Sequence, residues 1–169
     1  MVRQQTANLF HAGSSPVPHS ILGYMMINTQ WHTWIRTLPT QLAMEFIDER
    51  PNPDQEDIEV FTKLRLTHKK PIEVSINTLL NEPWMWGTVS RTPKHVVDAI
   101  NTRYGTHFKS GTVYERNPDR LLQYAKMSME TANPSVMVNG EIIFGVGRLI
   151  AALLRGDKHI KVWSLKNEL

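Results

Sequence analysis

One stretch constrains this chain more than any other: residues 139–157, NGEIIFGVGRLIAALLRGD. Its Asn-Gly pair is typical of a two-residue β-hairpin turn, so EIIFGV is predicted to be the second strand of a hairpin. Two glycines and an arginine are followed by an apolar run, which predicts a short helix over 147–155 that ends at Gly156. A strand therefore has to turn into a helix within the sequence GVGR.

Gly145, Gly147 and Arg148 have the character of an anion-binding turn. Glycine permits backbone angles and close approach that a side chain forbids. A helix that starts here directs its free N–H groups and positive dipole end at whatever occupies the turn. Arg148 adds a planar guanidinium suited to phosphate oxygens, and Arg155 can share its helix face two turns later. The alternative is a tight turn that needs small residues, with both arginines solvated.

The first seventy residues are predicted to form an N-terminal helical extension. Its opening, to about Ser20, indicates a flexible lead or an arm on the surface. Residues 21–35 suit either a helix or a strand followed by a loop. Two helices are predicted next, TQLAMEFIDE after Pro39 and QEDIEVFTKLRLTHK with Asp54 as its cap. The section is acidic, because residues 1–60 carry three Lys/Arg and seven Asp/Glu.

Residues 71–169 are predicted to form the main domain. The patterns indicate a strand in PIEVSINTLL, a loop with two tryptophans, a helix in PKHVVDAINTRYG, a basic loop and a helix in DRLLQYAKMSMETA. The strand PSVMV, the hairpin, the helix over 147–155 and a last strand, HIKVWSL, complete the domain. After residue 60 the chain carries sixteen Lys/Arg and nine Asp/Glu. This positive balance indicates a surface for phosphate or nucleic acid, or alternatively a solvated face of mixed charge.

Composition narrows the class of protein. The chain has 169 residues and no cysteine, which excludes disulfides, thiolate metal sites and a cysteine nucleophile. No apolar run approaches the roughly 20 residues of a membrane-spanning helix, and the first twenty residues lack the apolar core of a signal peptide. A cytoplasmic protein without a membrane partner is therefore predicted. The seven histidines show no H-x-x-x-H or H-x-H spacing, so a transition-metal site is not expected.

The segment over 119–165 resembles the end of a ParB/sulfiredoxin-fold domain. The features that carry the resemblance are a helix, the strand that follows Pro134, the hairpin, a strand that ends in Gly-x-x-Arg, an alanine-rich helix that ends in glycine, and a closing strand. The resemblance implies an α+β fold, with a small mixed sheet and packed helices beside the N-terminal extension. By this resemblance the chain would be a divergent member of the superfamily. It would not be a true sulfiredoxin, which needs a cysteine, and it would not be a full-length partition ParB.

The family implies a nucleotide site at the Gly-x-x-Arg turn, which is Gly145, Val146, Gly147 and Arg148 in this sequence. It also implies a nucleoside triphosphate, ATP or CTP, with Mg²⁺, and phosphoryl-group chemistry of the NTPase or nuclease type associated with DNA. Glu82, in the loop after the first family-like strand, is the implied metal ligand and, with Arg148, a catalytic residue. The alternative for Glu82 is an ordinary loop carboxylate.

A nucleic-acid surface is the second predicted site. Trp86 offers a face on which bases stack, Arg91 and Lys94 lie close to it in sequence, and Arg155 adds a further cation. The same aromatic loop could instead cap the core or dock a protein. The alternative function is therefore a non-catalytic binding module, an accessory or inhibitor protein of phage or plasmid type, that contacts DNA or a protein partner through residues 39–68.

Overall fold

The computed structural model describes residues 21–111, 114–128, 130 and 132–168. The arm predicted for the first twenty residues lies outside this part. The described chain forms eight helices and five strands, so the predicted α+β class is confirmed. None of these helices is long and apolar enough to cross a membrane. The chain divides into two compact units, a first unit of Met1–Thr67 with Leu165–Leu169 and a second unit of His68–Ser164.

The first unit is built from three helices and a short strand. Its elements are α1 (Ile21–Arg36), α2 (Thr40–Glu49), α3 (Gln55–Phe61) and β1 (Leu64–Leu66). The buried rings of Trp31, Trp34, Phe46 and Phe61 form its core, with centroids 4.8–6.4 Å apart. The Trp34 indole N–H donates to the Leu64 carbonyl at 3.1 Å. Residues 21–35 are thus helical, because a helix places Trp31 and Trp34 on one buried face.

The helix predicted over 55–69 is wrong beyond Phe61. Asp54 caps α3 as predicted, and its carboxylate accepts from the Asp57 amide at 2.8 Å. The chain then leaves the helix, and β1 pairs antiparallel with the end of β5 (His159–Asn167), with Leu66 opposite Leu165. A strand partner a hundred residues away in sequence decides the conformation here, and local helical spacing cannot report such a partner.

The second unit combines a sheet with five helices. Its elements are β2 (Ile72–Ser75), α4 (Ile76–Leu80), α5 (Trp84–Val89), α6 (Lys94–Tyr104), α7 (Pro118–Lys126), β3 (Ser135–Val138), β4 (Glu141–Phe144) and α8 (Val146–Arg155). β3 lies between β4 and β5, and β2 pairs antiparallel with β5. The predicted hairpin joins β3 to β4, and its turn residues Asn139 and Gly140 have φ of 50° and 85°.

The helix predicted over 119–132 ends at Lys126. Two further predictions in this unit need correction. The strand predicted over 71–80 ends at Ser75, and the next five residues form α4. The loop predicted over 81–92 contains α5. In both segments the apolar residues turn towards the core with helical spacing, as Met85 and Val89 do. Elements this short have too few residues to show a period in the sequence.

Helix α8 is the central element of the second unit. Leu149, Ile150 and Leu153 are fully buried in its core, and Ala152 is nearly so. The helix packs against α7 and α6 on its sides. Because its apolar residues are surrounded, the helix has little freedom to shift along its axis. The position of its first residue, Val146, is fixed as a result.

We expect Asp54→Ala to lower the free energy of unfolding by about 1 kcal/mol, since the first turn of α3 loses its cap. Urea unfolding followed by tryptophan fluorescence measures this, because Trp31 and Trp34 belong to the same unit. Asp48→Ala is the matched control, because Asp48 is an exposed acid on α2 whose side chain makes no hydrogen bond or ion pair with the described residues. Equal midpoints for the two variants would contradict a stabilising cap.

Candidate phosphate-binding turn

Gly145 lies between β4 and α8 and adopts a left-handed conformation, with φ of 77° and ψ of 28°. Residues with a Cβ rarely adopt these angles, so the position favours glycine. Its carbonyl accepts from the Ser135 hydroxyl at 2.9 Å and from the amides of Arg148 and Leu149 at 3.1 and 3.2 Å. The turn is therefore held both by the helix that follows and by the start of β3.

The first two amides of α8 are open. The N–H groups of Val146 and Gly147 donate to no acceptor among the described residues, as expected for a helix N-terminus without a capping side chain. Both residues are partly exposed. On one side Gly147 faces the Tyr124 ring, which lies 3.1 Å from where a Cβ would be. The turn thus presents two hydrogen-bond donors from a backbone that is packed on one side.

Arg148 folds back onto this turn. Its Nη1 donates to the carbonyls of Asn133 and Pro134 at 2.8 and 2.9 Å. A Cβ built on Gly145 would lie 2.8 Å from both Nε and Cζ of the guanidinium. The guanidinium therefore rests directly against Gly145, and Arg148 is only partly exposed. A positive charge is held at the same turn as the open amides.

Arg155 has a different environment. Its Nε and Nη2 donate to one carboxylate oxygen of Asp157 at 3.0 and 2.7 Å, and its Nη1 donates to the Tyr124 carbonyl at 2.7 Å. Its side chain is only 17% exposed. These contacts join the end of α7 to the end of α8, so Arg155 stabilises the fold. The seven-residue spacing of Arg155 from Arg148 did not predict this role. The predicted contact of Arg155 with nucleic acid stays a prediction.

Glu82 lies between α4 and α5. Its amide donates to the Leu79 carbonyl and its own carbonyl accepts from Met85, both at 3.0 Å, while its partly exposed carboxylate makes no hydrogen bond or ion pair with the described residues. No group of three His, Asp or Glu residues that could hold a metal occurs in the part of the chain that the structure describes. The catalytic and metal-binding roles of Glu82 stay predictions.

Trp86, within α5, is 49% exposed, whereas its neighbour Trp84 is buried in the core. Arg91 forms an ion pair with Glu115 at 3.6 Å, and Lys94 pairs with Asp98 at 2.7 Å on the exposed face of α6. The predicted nucleic-acid residues thus carry local ion pairs. Whether they bind nucleic acid stays a prediction.

Arg116 is a residue of this region to which the sequence analysis assigned no role. Its Nη1 donates to the Thr88 carbonyl at 2.8 Å. Burial, together with the nearby charge of Arg91, lowers the pKa of Arg116 to about 10. In the sequence it stands next to Asn117, which caps α7 by accepting from the Asp119 amide at 2.9 Å. The Asn-Pro pair indicates the start of a helix from neighbouring residues alone. It does not indicate the hydrogen bond of Arg116, whose acceptor lies 28 residues earlier.

We expect Gly145→Ala to destabilise the protein more than Gly105→Ala. Both glycines have positive φ, at 77° and 65°, so alanine costs about 1–2 kcal/mol of backbone strain at either position. A Cβ at Gly105 meets nothing within 4 Å, whereas at Gly145 it collides with Ser135 and Arg148, which adds about 1–3 kcal/mol. Thermal unfolding of the two variants measures the difference. Equal melting temperatures would contradict the packing of Arg148 on Gly145.

The chain matches no protein-family model, no curated protein and no solved structure. The ParB/sulfiredoxin resemblance of residues 119–165 therefore stays a prediction from the sequence.

Proposed function

We propose that the turn formed by Gly145, Val146, Gly147 and Arg148 binds a phosphate group of a nucleotide. The observation that carries the proposal is the guanidinium of Arg148 resting against Gly145, at the helix end where two amides have no acceptor among the described residues. All of these groups are hydrogen-bond donors, and the end of the helix adds a partial positive charge. A ligand with several anionic oxygens satisfies them together, as a phosphate does.

The proposed ligand is a nucleoside triphosphate, ATP or CTP, associated with phosphoryl transfer or hydrolysis. Arg148 would stabilise the charge that develops on the phosphoryl oxygens, which is the main contribution a protein makes to this chemistry. Mg²⁺ would neutralise phosphate charge when bound. It typically takes one or two carboxylates together with phosphate oxygens and water, so Glu82 alone would suit as its protein ligand.

One observation favours the second candidate function, a non-catalytic module that docks a protein through residues 39–68. Met44 and Ile47 are exposed large apolar side chains one helical turn apart on α2. Solvent-facing apolar residues placed side by side on a helix are suited to a contact with another protein. In this reading the turn at Gly145 would bind its phosphate ligand without turnover.

The test of the proposed site is a thermal-shift series with ATP, ADP, CTP and GTP, with and without Mg²⁺. A ligand at one hundred times its dissociation constant stabilises the fold by about 2.7 kcal/mol, which raises the melting temperature by several degrees. We expect Arg148→Gln to abolish the shift, since the turn loses its cation. Arg36→Gln, which removes an exposed arginine on α1, should keep it.

Arg148→Lys is the second variant, for use if Arg148→Gln does not fold. Lysine keeps a positive charge and a donor for the Asn133 carbonyl. It should retain only part of the ligand-induced shift, since it lacks the planar fork of the guanidinium. Phosphate release, measured on the same samples, separates an enzyme from a module that only binds. A wild-type protein that no nucleotide stabilises, or an Arg148→Gln protein stabilised as much as wild type, would overturn the proposed site.

A further inference from the structure

A second surface of the molecule lies where residues 108–111 and 114–116 contact residues 86–91. Among these described residues, four pairs join the two stretches. The contacting pairs are Trp86 with Phe108, Ser90 with Gly111, Arg91 with Glu115, and Thr88 with Arg116. We call the region formed by Trp86, Arg91, Tyr114 and Arg116 the Trp86 surface.

The Trp86 surface carries two exposed aromatic rings. Trp86 and Tyr114 are 49% and 50% exposed, which is high for large aromatic side chains. The Trp86 ring is steadied by buried Phe108, whose centroid lies 4.9 Å away at an interplanar angle of 63°. A ring held in place while half of it faces solvent can stack against a planar group at little cost in side-chain entropy.

Arg116 brings an incompletely satisfied cation to the same surface. A guanidinium has five N–H donors, and the single hydrogen bond that Arg116 makes within the described residues goes to the Thr88 carbonyl. Arg116 is also desolvated and lies close enough to Arg91 for that like charge to lower its pKa further. Partial burial of a charge beside a like charge is unfavourable unless an anion compensates it.

Glu115 supplies only part of that compensation. Its carboxylate lies 3.6 Å from Nη1 of Arg91, and both side chains are partly exposed, so the pair contributes little to stability. Two guanidinium groups thus lie near one carboxylate. A bound phosphate could bridge Arg91 and Arg116 without removing a buried ion pair.

We propose that the Trp86 surface binds single-stranded nucleic acid, with a base stacked on Trp86 and a backbone phosphate between Arg91 and Arg116. A single strand is favoured because its bases are free to stack on an exposed ring, whereas those of a duplex are already stacked on each other. An acidic protein segment would satisfy the arginines and leave the indole without a planar partner. The site shares no residue with the phosphate-binding turn, so either proposal can fail without the other.

The experiment is a fluorescence-anisotropy titration of the full chain into a labelled oligothymidylate of about 15 nucleotides at low salt. We expect Trp86→Ala to weaken binding about fivefold or more, although it leaves the net charge unchanged. Arg116→Gln should weaken binding and lower the slope of log affinity against log salt by about 0.7, the value for one phosphate contact on a single strand. Lys126→Gln is the control, which removes an exposed lysine on α7. It should change the affinity only slightly, through the loss of one positive charge outside the Trp86 surface.

Each outcome decides the proposal. Weakened binding by Trp86→Ala supports it even if Arg116→Gln fails to fold, because the exposed indole contributes little to the core. Equal affinities for Trp86→Ala and wild type would overturn it. So would a duplex of the same length that binds as tightly as the single strand, or polyglutamate that competes as well as unlabelled oligothymidylate. The last result would identify the surface as a contact for an acidic protein.

Discussion

The burial of α8 in the second unit is the interaction on which the proposed site depends. Leu149, Ile150 and Leu153 are fully removed from solvent, and each such side chain stabilises the fold by about 1.5–3 kcal/mol relative to exposure. Gly145 adopts its left-handed conformation at little cost, because it has no Cβ. Because the helix is held along its length, its open first turn and Arg148 are held too. The site is a consequence of how the helix is packed.

The arginines of the second unit differ in what accepts their hydrogen bonds. Arg155 meets a carboxylate at 2.7 Å, so its charge is neutralised where it lies and it contributes to structure. Arg148 and Arg116 donate to backbone carbonyls, and these hydrogen bonds orient each guanidinium. An oriented guanidinium is suited to an anionic ligand. This difference underlies the choice of Arg148 and Arg116, and not Arg155, for the two proposed sites.

The predictions that hold concern interactions between residues close in sequence. The cap at Asp54, the hairpin turn at Asn139 and the helix end at Gly156 each depend on a few neighbouring residues, and the sequence indicates all of them. The wrong predictions concern short elements with distant partners. β1 exists because it pairs with the end of β5, and α5 exists because its apolar side chains reach a core assembled from many segments.

The same division applies to the candidate sites. The sequence alone determined that a strand turns into a helix at GVGR, because glycines, an arginine and an apolar run act locally on the backbone. Only the tertiary structure decided that Arg148 returns to rest on Gly145, that Arg155 binds Asp157 and the end of α7, and that Arg116 donates to the Thr88 carbonyl. A long, flexible side chain takes its place from whichever acceptors the folded chain brings near it, and most of those acceptors come from distant parts of the sequence.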